Sequence, residues 1–73
     1  MEEKIIDIIE VTGYCEITDT EQTFDELEVE DDAFEDILDV VQEEFDIEIS
    51  KADAADLRAG SVRDFINYIE ANA

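Results

Sequence analysis

The sequence predicts an all-α protein, a four-helix bundle of three longer helices and one short helix, with a long loop after the first. Three observations carry this. Apolar side chains recur at helical spacing in three separate stretches. Ser50 and Ser61 each precede a helical stretch with an aspartate three residues on, which is the pattern of a helix N-cap. The 73 residues suffice for one domain, expected over residues 1–73, and no repeat or break in composition divides them.

The first helix is expected over residues 2–12. Ile5, Ile8, Ile9 and Thr12 fall on one face, Glu2 and Glu3 lie in the first turn where the helix dipole favours anions, and Gly13 is the expected C-cap. Residues 14–30 form a long connection rich in Thr, Asp and Glu. Its apolar anchors Tyr14, Ile17, Phe24, Leu27 and Val29 predict that it packs along the helices. The strongest helix is expected over residues 31–45, where Phe34, Ile37, Leu38, Val41 and Phe45 make a continuous stripe. Asp32 with Glu35 reads as a capping-box-like pair, with Asp32 as the N-cap. Asp46 to Ile49 form a turn with Ile47 and Ile49 inward. A short helix capped by Ser50 runs through Leu57, and Gly60 breaks it. The last helix, over residues 61–71, buries Val62, Phe65, Ile66 and Ile69 behind the Ser61–Asp64 cap.

Charge sets this chain apart. Asp and Glu number 24 against 4 Lys and Arg, a net charge of −20. Nucleic acid is excluded as a partner, because holding phosphates takes clustered Lys and Arg. An anionic membrane surface is disfavoured for the same reason. The natural partner is a protein with a basic patch, since complementary fields raise on-rate and selectivity. The acidic face of the 31–45 helix carries Asp31, Asp32, Glu35, Asp36, Asp39, Glu43 and Glu44, whose mutual repulsion lowers stability.

Other chemistries lack their residues. There is no histidine, and Cys15 is the only cysteine, so neither an intrachain disulfide nor a cysteine-based zinc cluster is available. A lone thiol without an imidazole partner reads as a small apolar filler, and a reduced, cytoplasmic setting fits it. The run Ile5, Ile6, Ile8, Ile9 is interrupted by Asp7 and stopped by Glu10, which predicts no signal peptide within residues 1–20. Calcium coordination of the EF-hand kind would need alternating oxygen ligands with a glycine at the sixth position, and no stretch supplies it, so no specific metal site is expected. An enzyme is not expected either. Paired carboxylates such as Asp31 and Asp32 do acid–base work only where a cleft raises a pKa, and an exposed helix start offers none.

The run Glu43-Glu44-Phe45-Asp46-Ile47-Glu48-Ile49 resembles the end of the second helix of acyl carrier proteins. Phe24-Asp25-Glu26-Leu27 resembles the stretch just before that family's attachment motif, and Tyr68-Ile69 is similar to the end of its final helix. With the chain's length, charge, missing tryptophan and long first loop, the resemblance extends over nearly the whole chain. The resemblance implies an acyl-carrier-like four-helix bundle, monomeric, whose acidic second helix docks on enzymes of fatty-acid, polyketide or peptide assembly through Glu30, Asp32, Glu35, Asp36, Asp39 and Glu43. It also implies 4′-phosphopantetheine on a serine in an Asp-Ser-Leu motif. Counting back from Phe45 and forward from Leu27 both put that serine at position 31, where the chain reads Glu30-Asp31-Asp32. A carboxylate would give a labile acyl-phosphate anhydride in place of a phosphodiester, so Asp31 is expected to stay unmodified and no cofactor is expected. Ser50 and Ser61 are expected to be tied up as N-caps. The alternative reading is an acidic protein-interaction module on the same fold, unrelated to acyl transfer.

Overall fold

A computed structural model describes residues 2–73 of the chain. Four helices follow in order: α1 over Glu2–Gly13, α2 over Asp31–Phe45, α3 over Lys51–Ala59 and α4 over Val62–Asn72. The fold is all-helical among the described residues, apart from an isolated antiparallel bridge between Thr23 and Ser61.

The stripes expected from spacing form the core. Ile5 and Ile9 of α1, Phe34, Ile37 and Val41 of α2, Leu57 of α3, and Val62, Phe65, Ile66 and Ile69 of α4 are buried together. The first loop adds Phe24 and Val29 to the same cluster. Phe24, Phe34 and Phe65 meet edge to face, with ring centroids 5.0, 5.6 and 6.1 Å apart. In that geometry the positive ring edge of one meets the negative face of the next. Truncating Phe24 to alanine would cost about 3–5 kcal/mol, the cost of an emptied aromatic site, and would detach the loop from the core.

The first loop is ordered by polar contacts as well. A helix start leaves its first N–H groups without partners. At α4 the loop supplies them: Val62 N–H donates to the Gln22 carbonyl at 2.9 Å and Arg63 N–H to the Thr20 carbonyl at 2.8 Å. Asp64 N–H donates to Ser61 Oγ at 3.2 Å, and Ser61 N–H donates to Asp64 Oδ2 at 3.3 Å, which closes a capping box. Thr23 and Glu26 exchange the same reciprocal pair inside the loop, each at 3.1 Å. Between α2 and α3, Gln42 Oε1 accepts from Ile49 N–H at 2.9 Å and fixes the turn that carries Ile47 and Ile49 against the core.

Three expectations are corrected. Gly13 is the last residue of α1 and not its cap. A Cβ there would stand 3.2 Å from Ile37 Cδ1, so glycine serves the close approach of α1 to α2. The left-handed position falls instead on Tyr14, at φ 54°, which costs a non-glycine residue about 1–2 kcal/mol. Tyr14 is also not an anchor, because its side chain is 93% exposed; the turn swings it outward. Finally, Asp32 does not cap α2. The N-cap is Glu30, without a side-chain bond, and Asp31 and Asp32 both lie in the first turn. The helix begins at residue 31, as its expected bounds have it, and Arg58 of α3 bonds the Val29 carbonyl and the Asp31 carboxylate on either side of the Glu30 cap.

Candidate docking surface

The acidic residues of α2 divide between two surfaces. Asp32, Asp36, Asp39 and Glu43 recur at helical spacing, each a turn from the next, and all are exposed. They form an outward stripe opposite the buried Phe34–Ile37–Val41 face. Asp31 and Glu35 lie to one side, on the rim of a groove between α2 and α3. Glu30, also exposed, stands just before the helix. The six residues expected to dock are therefore all accessible, but Glu35 belongs to the groove rim and not to the stripe. Asp39 and Glu43 also line a shallow hollow with Asp46 and Glu48 at the far end of α2. No group of three or more His, Cys, Asp or Glu side chains is placed to hold a metal ion among the described residues.

The groove measures about 380 Å³ and is floored by Phe34, Leu38, Ile49, Ala54 and Ala55. Lys51 and Arg58 line it too, so two of the chain's four cations sit on this one feature. Arg58 is the more constrained. Its Nη2 donates to the Val29 carbonyl at 2.6 Å, Nη1 to Asp25 at 3.1 Å and Nε to Asp31 at 3.3 Å. Its guanidinium carbon lies 5.8 Å from the centre of the Phe34 ring.

Asp31 thus has a structural partner. Its carboxylate begins α2, where an anion is favoured by the dipole, and it accepts from a cation on α3. The position does not fit a phosphopantetheine arm, because a stable phosphodiester needs a hydroxyl and the oxygen present is a carboxylate in an ion pair. Neither serine replaces it. Ser50 Oγ accepts from Asp53 N–H at 3.2 Å and Ser61 Oγ from Asp64 N–H at 3.2 Å, both as N-caps.

The remaining groups named from the sequence are quiet. Cys15 is half-buried and its S–H faces the Ile9 carbonyl at 3.8 Å. Burial first, and Glu10 second, push its thiol above the ordinary range, so it stays protonated and unreactive. No helix is long and apolar enough to cross a membrane among the described residues.

Sequence reasoning missed Arg58. One signal was available: an arginine in the last turn of a short helix, in a chain with so few cations. What it pairs with lies 27 to 33 positions away and has no local signature. No protein-family model matches this chain, and neither a curated protein nor a solved structure does.

Proposed function

We propose that this is a non-catalytic, carrier-like docking protein, whose acidic α2 engages a basic patch on enzymes of fatty-acid, polyketide or peptide assembly. It keeps the recognition surface of a carrier and lacks the covalent arm. The observation that carries this is the stripe Asp32–Asp36–Asp39–Glu43, fully accessible along one face of α2 beside a helix start that bears Asp31. Four like charges along a single face destabilise a helix, and a basic partner relieves that repulsion on docking. The resemblance in Phe24–Leu27, Glu43–Ile49 and Tyr68-Ile69 supplies the class of partner.

Mass spectrometry after incubation with coenzyme A and a broad phosphopantetheinyl transferase tests both halves. The protein as it stands should gain no mass. The double variant Asp31→Ser/Asp32→Leu, which rebuilds the attachment motif on the same docking helix, should gain one arm per chain. A mass gain on the unaltered protein would overturn the claim about Asp31. An unmodified double variant, shown to be folded, would count against the carrier reading.

The second reading, an acidic interaction module without any acyl context, is favoured by the Asp31–Arg58 pair, which gives Asp31 a purely structural role. Under it the double variant stays unmodified, while binding to basic proteins still depends on Asp36 and Glu43.

A further inference from the structure

Three of the chain's four cations are paired with carboxylates. Lys4 pairs with Glu44, Arg58 with Asp25 and Asp31, and Arg63 with Glu2. Lys51 has no such partner among the described residues, although the chain holds 24 carboxylate side chains. Its position gives it no local support either. It is exposed and is the first residue of α3, where the helix dipole disfavours a cation.

Lys51 also lines the groove between α2 and α3. Of the other charges there, Asp31 and Arg58 pair with each other. Glu35 has no cation partner among the described residues. The groove therefore presents an apolar floor with one open cation, Lys51, and one open anion, Glu35, in a volume of about 380 Å³. Glu35 also joins the groove to the acidic stripe, because Asp32 and Asp39 are its helical neighbours three and four residues away.

The stripe by itself attracts a basic partner without fixing its position. Its carboxylates recur every turn, so a partner shifted by one turn, about 5.4 Å, meets nearly the same charges. A charge of opposite sign beside an apolar hollow breaks that equivalence.

We propose that the α2–α3 groove sets the register of the docked partner: an apolar side chain of the partner lies on Phe34, Leu38 and Ile49, and Lys51 pairs with a carboxylate that the partner carries next to it. The partner segment is then basic with one acidic residue at a fixed place, and not uniformly basic. This rests on the reading of α2 as a docking helix and adds what the partner must carry. A second copy of the chain does not fit, because it would set one acidic surface against another at a net charge of −20 each.

The test is selection from a displayed library of random dodecapeptides, run in parallel on the unaltered protein and on Lys51→Glu. The variant should fold, because Lys51 makes no ion pair and the dipole favours a carboxylate at the start of a helix; circular dichroism checks this. The unaltered protein should select peptides rich in lysine and arginine, with one aspartate or glutamate beside an aromatic or aliphatic residue. Lys51→Glu should select a lysine or arginine at that place instead. One selected peptide, labelled with fluorescein and read by anisotropy, gives the magnitude. Changing its carboxylate to the amide should weaken binding to the unaltered protein about fivefold, the upper end for a surface ion pair, and should tighten binding to Lys51→Glu. The first sign is diagnostic, because removing a negative charge from a ligand otherwise strengthens its attraction to a chain of net charge −20. Amide shifts on adding the peptide should fall on residues 31–38 and 49–58, and shifts that spare 49–58 overturn the proposal. Basic peptides with no preferred carboxylate, or a carboxylate preference unchanged in Lys51→Glu, overturn it and leave the docking reading standing. Peptides with a Lys51-dependent carboxylate but no excess of basic residues uphold the Lys51 contact, and it is then the docking reading of α2 that fails. No enrichment at all counts against both.

Discussion

Arg58 of α3 donates to the backbone carbonyl of Val29, 29 positions earlier, at 2.6 Å. The same guanidinium reaches Asp25 and Asp31, so one side chain joins the first loop, the start of α2 and the end of α3. Val29 is buried and Arg58 is three-quarters covered, whereas the two carboxylates are 84% and 90% exposed. The carbonyl bond therefore outweighs the ion pairs, because a charged donor in partly buried surroundings contributes about 1.5–3 kcal/mol and an exposed pair about 0–1 kcal/mol. Arg58→Ala should lower stability in urea unfolding by about 2–3 kcal/mol, and Asp31→Ala by no more than about 1 kcal/mol. Arg58→Lys should recover only part, since an ammonium cannot reach three acceptors as a planar fork does.

Tyr14 gives a prediction of opposite sign. A left-handed residue at a helix end favours glycine or asparagine. Tyr14→Gly should raise the stability of the isolated protein by up to about 1 kcal/mol, because the exposed ring gives up almost no packing. Gly13→Ala should do the reverse, since its methyl group would crowd Ile37 Cδ1 at 3.2 Å. Thermal melts of the two variants side by side check both signs.

These two residues also mark how far the sequence was legible. Four helices, the buried stripes and the caps at Ser50 and Ser61 follow from local patterns, and local patterns are written in consecutive residues. The placement of the left-handed turn was not. Gly13 and Tyr14 are adjacent, and only the close approach of α2 decides which of them stays helical. The bounds of α2 were legible but its cap was not: Glu30 takes the cap position, and Arg58 bonds Val29 and Asp31 on either side of it, contacts that the Asp32–Glu35 pattern does not announce. On α2 the acidic residues could be named in advance, but not their division between stripe and groove rim.

Repulsion within the acidic surface should respond to ions. Loose binding of divalent cations along residues 28–44 screens neighbouring carboxylates without a built site. Millimolar Mg²⁺ or Ca²⁺ should raise the melting temperature, and the gain should shrink in Asp36→Asn/Asp39→Asn. An unchanged melting temperature would show that the stripe carries little strain.

Tyr68 links α4 to α3 by donating its hydroxyl to Asp53 at 2.9 Å. That bond, with desolvation and the Asp53 charge behind it, holds the phenol above its ordinary value of 10.0. A raised folded-state value means that the bond stabilises fully below pH 10 and is lost as pH rises through the folded value. Tyr68→Phe should therefore be less stable at neutral pH by about 1 kcal/mol, and the difference should narrow in alkaline melts followed by circular dichroism.

The scarcity of cations has a consequence for proteolysis. Trypsin cuts after lysine and arginine, and here these are Lys4, Lys51, Arg58 and Arg63, every one of them within a helix. The long first loop, where most proteases would begin, offers trypsin nothing. Cleavage must wait for a helix to open, so the rate of tryptic digestion reads local unfolding of α1, α3 and α4 rather than loop exposure.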